Sequence, residues 1–386
     1  MPSSLQKATS NSPALLWLLP SVSFVFVLAC GGLEAVPPPA HDGGPPTFDG
    51  AASSGPDGSY TPTTDGPVGG AQDGTGTADV TPQDAQPADC TAVPLVLSSS
   101  VYMPQEIAVD VNNVYFSGLD DTTEADAIYQ IPKGVPGAIP LQLSDPDGQP
   151  YSLASDGSYL YWNDTFDPGS IRRTRAGGPE ETTLLAIDVW GLALGPTSLF
   201  WVTSSGSAQS MPKGGGAVTT LGVVSGSNPG DEFVAVALDT NSFYFVATSP
   251  LSATLSSVAV SGGPVTTLTT VDADVTALTL DTQYLYFVVG DALTRIPLAG
   301  GATSVVAHGF AGTIALKVDS GNVYATIAKG NNPTGSVVRV PVTGGTPTVL
   351  ASSQWDPYGL AVDGNCVYWA DMESVNGPGA IMMVAK

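Results

Sequence analysis

Positive charge is scarce in this 386-residue chain. Eleven Lys and Arg stand against 35 Asp and Glu, for a net charge of -24. Binding a phosphate backbone needs clustered Lys and Arg to release counterions, so no nucleic-acid partner is expected. Charged residues make up only 12% of the chain, and the Lys, Glu and Arg that favour helices are correspondingly few. That argues against a helical bundle. Two histidines and three cysteines do not make a zinc ligand set, and no metal or cofactor is expected. No G-x-S-x-G, H-E-x-x-H or phosphate-binding glycine loop is present, which removes the commonest signatures of acyl transfer, zinc hydrolysis and nucleotide chemistry. What is abundant is Gly (45) and Pro (33), a mix that favours many short strands joined by turns. The acidity reads as solubility outside the cytoplasm.

Residues 1–29 have the layout of a signal peptide. Lys7 supplies a positive start, and Ala14 to Ala29 is almost wholly apolar but short for a membrane span. The run ends in Leu28-Ala29-Cys30-Gly31, which resembles the lipobox of bacterial lipoprotein signals. The resemblance implies cleavage before Cys30, acylation of that cysteine, and attachment to membrane lipid. It places the protein outside the cytoplasm on the bacterial cell envelope, at the outer membrane or cell surface. An ordinary cleaved signal and an uncleaved anchor are the alternatives. Residues 30–89 differ in kind. From Gly31 to Asp89 there are nine acidic residues, no Lys or Arg, and almost no large apolar side chains. Such a stretch cannot bury enough surface to offset chain entropy and is expected to be a disordered tether. As a coil it would span roughly 45 Å.

From residue 90 onward a motif recurs seven times: "IAVDVNNVYF" at Ile107, "LASDGSYLYW" at Leu153, "LALGPTSLFW" at Leu192, "VALDTNSFYF" at Val236, "LTLDTQYLYF" at Leu278, "LKVDSGNVYA" at Leu316 and "LAVDGNCVYW" at Leu360. Its Asp stands five residues before an aromatic: Asp110/Tyr115, Asp156/Tyr161, Asp239/Tyr244, Asp281/Tyr286, Asp319/Tyr324 and Asp363/Tyr368. The third copy has Gly195 and Phe200 instead. Successive copies lie 38 to 46 residues apart, the signature of a repeat architecture. Each unit reads as a buried strand, a turn started by Asp, a returning β-branched and aromatic strand, a third strand, a Gly-Gly hairpin and a fourth strand. Four antiparallel strands in about 43 residues make one blade of a β-propeller.

The last copy stops at Lys386, before its fourth strand. "PLVLSSSVYMPQEIAVD" at Pro94 matches "PTVLASSQWDPYGLAVD" at Pro347 over the same 17 positions. The segment before the first blade is therefore expected to be the missing fourth strand of the last blade, closing a seven-bladed ring over residues 90–386 and removing free sheet edges. The repeats, with Tyr161-Trp162-Asn163-Asp164 and Tyr368-Trp369-Ala370-Asp371 as the nearest tetrapeptides, resemble those of YWTD and NHL propellers in the broader TolB-like group. YWTD domains are typically six-bladed, so seven blades depart from that family. Members of these groups bind proteins, peptides or RNA and some related propellers are enzymes, so the resemblance carries the fold more than the function.

Cys90 precedes the closing strand and Cys366 begins the second strand of the blade it enters. Both fall on one face of that blade, so a Cys90–Cys366 disulfide is expected in an oxidising compartment; two separate thiols are the alternative. The lead-in loops converge on the channel mouth, where Gln105, Tyr151, Trp190, Val234, Thr276, Ile314 and Tyr358 precede the innermost strands, with Trp355 nearby. Tyr151, Trp190, Tyr358, Trp355 and Gln105 are the candidate ligand-binding residues, for an envelope protein, peptide or glycan. Packing between blades is the alternative role for the aromatics. His308 is the one histidine of the repeat region: a channel base if the propeller is a lyase or hydrolase, a solvated loop residue otherwise. The acidic run Asp120 to Ala127 lacks the spacing of a calcium loop. The expected function is a membrane-tethered, non-catalytic binding propeller, with a propeller lyase or hydrolase as the alternative.

Overall fold

The computed structural model describes residues 90–386 except 121–124, 145–147, 165–168, 179, 188, 225–231, 250–251, 331–332 and 373–377. The signal segment, the tether, Cys30 and residues 121–124 of the acidic run at 120–127 lie outside the described residues.

Alternating apolar segments separated by Gly, Pro and Asp turns form strands and no helices among the described residues. Twenty-eight strands make seven four-stranded antiparallel sheets. Six sheets are simple meanders in chain order. Their innermost strands are Ile107–Val109, Pro150–Ser155, Val189–Leu194, Glu232–Leu238, Leu278–Leu280 and Thr313–Asp319, which number blades one to six. Blade seven takes three strands from the carboxyl end, Pro357–Val362, Cys366–Asp371 and Gly379–Ala385, and its fourth, Leu95–Val101, from the start of the described chain. Leu95 pairs with Met383 and Val101 with Gly379. Each inner strand touches that of the next blade, and the seventh touches the first, so the seven surround one axis. The fold is a seven-bladed β-propeller, closed as the 17-residue match requires.

Cys90 and Cys366 form a disulfide with their Cα atoms 5.8 Å apart. It fastens the chain entering the closing strand to the second strand of the same blade, so the seam is covalent as well as hydrogen-bonded.

The Asp of each motif does two jobs where the sequence suggested one. Its Oδ1 accepts the backbone N–H groups two and three residues on, at 2.8 and 2.7 Å for Asp110 and at 2.7 and 2.7 Å for Asp281. Its Oδ2 accepts the hydroxyl of the Tyr five residues on: Tyr115 at 2.7 Å, Tyr161 at 3.2 Å, Tyr244 at 3.1 Å, Tyr286 at 2.7 Å and Tyr368 at 3.0 Å. Burial, together with the adjacent carboxylate, pushes these phenols up; those of Tyr161 and Tyr244 reach about 12. In blade three the carboxylate is absent, and so is the hydroxyl. A Cβ on Gly195 would stand 2.8 Å from the Phe200 ring. Blade six also departs. Ser320 and Gly321 both have positive φ, so Asp319 and Asn322 pair directly across a two-residue hairpin. Asp319, with no N–H groups to cap, contacts Lys386 of blade seven instead.

That contact belongs to a second pattern. A Lys just past the third strand of one blade reaches the motif Asp of the preceding blade: Lys133 to Asp363 at 2.6 Å, Lys213 to Asp156 at 3.1 Å, and Lys386 to Asp319. Arg173 and Arg295 stack on Tyr159 and Tyr284 and donate to the Lys213 and Val342 carbonyls of the following blades. Five of the eleven Lys and Arg of this acidic chain thus sit at blade joints, on the end of the ring that holds the Asp turns. Blade seven is fixed to both neighbours there, by Lys133 and Lys386.

Candidate binding face and axial channel

In a four-stranded meander the first and third turns share one end of the blade, and the second turn and the lead-in to the next blade share the other. The Asp turns and hairpins therefore occupy one end of the ring, and the lead-ins and second turns the other. Second-turn length varies strongly on that other end. Two residues, Gly290 and Asp291, separate Tyr284–Val289 from Ala292–Pro297, whereas residues 372–378 separate Cys366–Asp371 from Gly379–Ala385. Variable loops on a rigid frame are where a propeller places specificity.

The five candidate residues lie at this end but do not form one aromatic platform. Gln105, Gln149 and Tyr151 form a chain across blades one and two. The Gln149 amide donates to Gln105 at 2.6 Å, and the Tyr151 hydroxyl donates to Gln149 at 2.8 Å. Trp190 is half-buried and packs against the cluster shared by blades two to four. Trp355 is half-buried beside the turn into blade seven. The side chain of Val234 lies outside the described residues.

Tyr358 sits differently. With Thr276 and Ile314, its counterparts in blades five and six, it lines a cavity of about 580 Å³ at the channel mouth. Asp274 and Asp356 also line it, with Thr313, Val288 and the backbone of Gly290, Gly312 and Gly330. Asp356 has a φ of 50°, a conformation Asp tolerates better than most residues. Burial holds its carboxyl above the ordinary Asp range. The Thr276 hydroxyl donates to the Thr313 carbonyl at 3.1 Å, and the Thr313 hydroxyl to the Phe310 carbonyl at 2.7 Å.

Behind the mouth the inner strands carry small residues in two columns. Four residues before the motif Asp stand Ser152, Gly191, Ala235, Ala277, Ala315 and Gly359; two residues before it stand Ala108, Ala154, Ala193, Ala237, Thr279 and Ala361. The inner strands are close enough here that a Cβ on Gly359 would collide with the Gln105 carbonyl, which accepts the Gly359 N–H at 2.9 Å. Each column is broken once. Blade one places Glu106 in the first, and blade six places Lys317 in the second. Glu106 is 6% exposed, and its charge interacts with that of Lys317 although blade seven lies between the two blades. Burial pushes the Glu106 carboxyl up to about 8 and the Lys317 amine down to about 8, each opposed by the other's charge. The corresponding positions of blade seven, which lies between them in the ring, are the small Gly359 and Ala361. Setting the seven repeats in register shows the pair as one acid and one base in two columns of small residues, a signal available without the fold.

His308 is not a channel residue. It lies on Ser304–His308, the outermost strand of blade five, with its side chain 71% exposed and 3.5 Å from Asp291. A channel reaction using His308 as base is therefore not built by this fold. Among the described residues no three His, Cys, Asp or Glu converge as a metal set.

No protein-family model and no curated protein matches this chain. Solved structures do. YCF48 from Cyanidioschyzon merolae covers 76% of this chain and 98% of its own, at 13% identity and a TM-score of 0.56. The WD40 β-propeller domain of Doa1 covers 77% and 97%, at 11% identity and 0.55. The computationally designed Ika8 protein covers 76% and 99%, at 14% identity and 0.51. At such identities the likeness is one of fold alone.

Proposed function

We propose that this chain is a membrane-tethered, non-catalytic binding propeller of the cell envelope. In this reading Cys30 carries the lipid, residues 30–89 are the spacer, and the lead-in end of the ring takes a protein, peptide or glycan. The observation that carries it is the asymmetry of the two ends. One end is closed down by Asp turns, Tyr hydroxyls and Lys bridges, while the other holds variable loops and the cavity at Tyr358. The lipobox-like Leu28-Ala29-Cys30-Gly31 and the acidic, Pro-rich stretch behind it support the tether.

Two measurements test the two halves. Labelled palmitate should enter the wild-type protein and not C30S, and C30S should partition away from membranes. A photocrosslinker replacing Tyr358 should capture the partner, and one replacing Gln283, in an Asp turn at the opposite end, should not. Capture only from Gln283 would reverse the assignment of the binding end.

A further inference from the structure

The side-chain chemistry of the mouth cavity specifies a class of ligand; the inference rests on the binding reading above. Among the described residues, the cavity lining includes two carboxylates, Asp274 and Asp356, and no Lys, Arg or His. The protons of its two threonine hydroxyls already go to backbone carbonyls, at 3.1 and 2.7 Å. Its carboxylates therefore supply acceptors and neither threonine hydroxyl has a proton left to offer, and the complement is a donor-rich, positively charged group. An anion would meet two carboxylates and no cationic side chain from the lining. Lys329 lies between the lining residues Ala328 and Gly330 but is exposed and is not itself part of the wall. Burial disfavours the charged form of Asp356. A bound cation would supply the missing counter-charge in a partly desolvated site. Tyr358 adds an aromatic wall against which an alkyl stem or a cation can pack. The cavity, at about 580 Å³, is within the range that encloses a small ligand or one long side chain. The net charge of -24 draws cations toward the molecule from a distance.

We propose that the cavity between blades five, six and seven takes an ammonium or guanidinium group carried on an extended stem, with Asp274 and Asp356 receiving the cation and Tyr358 packing on the stem. Two sources supply this chemistry, a basic side chain of a peptide and a free polyamine.

The test is calorimetric titration of the full-length protein with four probes: N-acetyl-lysine amide, its neutral isostere N-acetyl-norleucine amide, N-acetyl-glutamate amide, and spermidine. A cation should bind at least about tenfold more tightly than the neutral and acidic probes, and the tighter of the two cations identifies the source. D274N and D356N should each weaken cation binding severalfold, and added salt should weaken it further. Asp274 is exposed, so D274N leaves the fold intact, and its unfolding midpoint verifies this. Equal binding of the isostere, or unchanged affinity in both variants, overturns the cation assignment and leaves the mouth as the binding face. Failure of both cations to bind at millimolar concentration also overturns it, while the Tyr358 and Gln283 crosslinks decide the binding face separately.

Discussion

Glu106 and Lys317 interact across the inner strand of blade seven, from two blades that are not neighbours in the ring. The blade between theirs is the one assembled from both ends of the domain. The disulfide holds that seam from within, and Lys133 and Lys386 hold it from the side of the Asp turns.

Removing either member leaves the other, a buried Glu106 or a half-buried Lys317, without its counter-charge. E106Q and K317M are each expected to cost about 3 kcal/mol, and the double variant much less than their sum. Denaturant unfolding of the four proteins measures the coupling; strict additivity would show that the two groups do not act together. The pH dependence has a definite sign. In K317M the lone Glu106 keeps a raised pKa, so the folded state binds the extra proton. Stability should then fall as pH rises from the ordinary Glu value of 4.5 through the folded value.

The disulfide closes a loop spanning a sequence separation of 276 residues. Chain entropy assigns such a crosslink up to about 5 kcal/mol. C366S, or reduction of the wild type, should lower the unfolding midpoint and expose the Leu95–Val101 strand to protease before the rest of the ring. A reduced protein as stable as the oxidised one would remove the disulfide from the account of closure.

Asp363 is half-buried, which alone would raise its carboxyl. Lys133 and the N–H groups of Asn365 and Cys366 outweigh that and hold it below the ordinary value of 3.8. A depressed carboxyl stabilises the fold above the unfolded-state value, and the contribution is lost as pH falls through the folded one. The wild type should lose stability below about pH 4 more steeply than D363N, whose cost at neutral pH should be about 1–2 kcal/mol. Parallel acid-unfolding curves for the two proteins would contradict this.

Blade three tests the Asp–Tyr unit in reverse. F200Y places a buried hydroxyl where no carboxylate receives it and should cost about 1–2 kcal/mol. G195D alone crowds the ring. Combining the two recreates the unit of five other blades, so the double variant should be more stable than the sum of the singles predicts. The cycle is read by thermal or denaturant unfolding, and a double variant worse than additive would mean that the surroundings of blade three cannot hold the unit.

Much of the fold was legible in the chain because a repeat reports itself several times. The 38- to 46-residue period gave the blade count, and the match of Pro94–Asp110 to Pro347–Asp363 gave the closure. The spacing of Asp and Tyr was visible, but not the hydroxyl-to-carboxylate bond, although the joint change to Gly195 and Phe200 pointed to it. The candidate site was legible only in part. Tyr358 lines a cavity with Thr276 and Ile314 rather than a platform with Tyr151 and Trp190, which are spent on a glutamine chain and blade packing. Whether a lead-in aromatic packs inward or opens a cavity depends on the neighbouring blade, which one repeat does not contain.

The sequence by itself determined the strands, their order, the number of blades and the place of the seam, because period, turn chemistry and alternation are local and repeated. Only the tertiary structure decided which single departures from the repeat meet. Glu106 and Lys317 are 211 positions apart, and Asp274 and Asp356 are 82 positions apart; ring closure brings the first pair within reach of each other's charge and the second to one cavity. Such meetings depend on the angle between blades and on where glycine and alanine leave room, quantities that no single unit encodes.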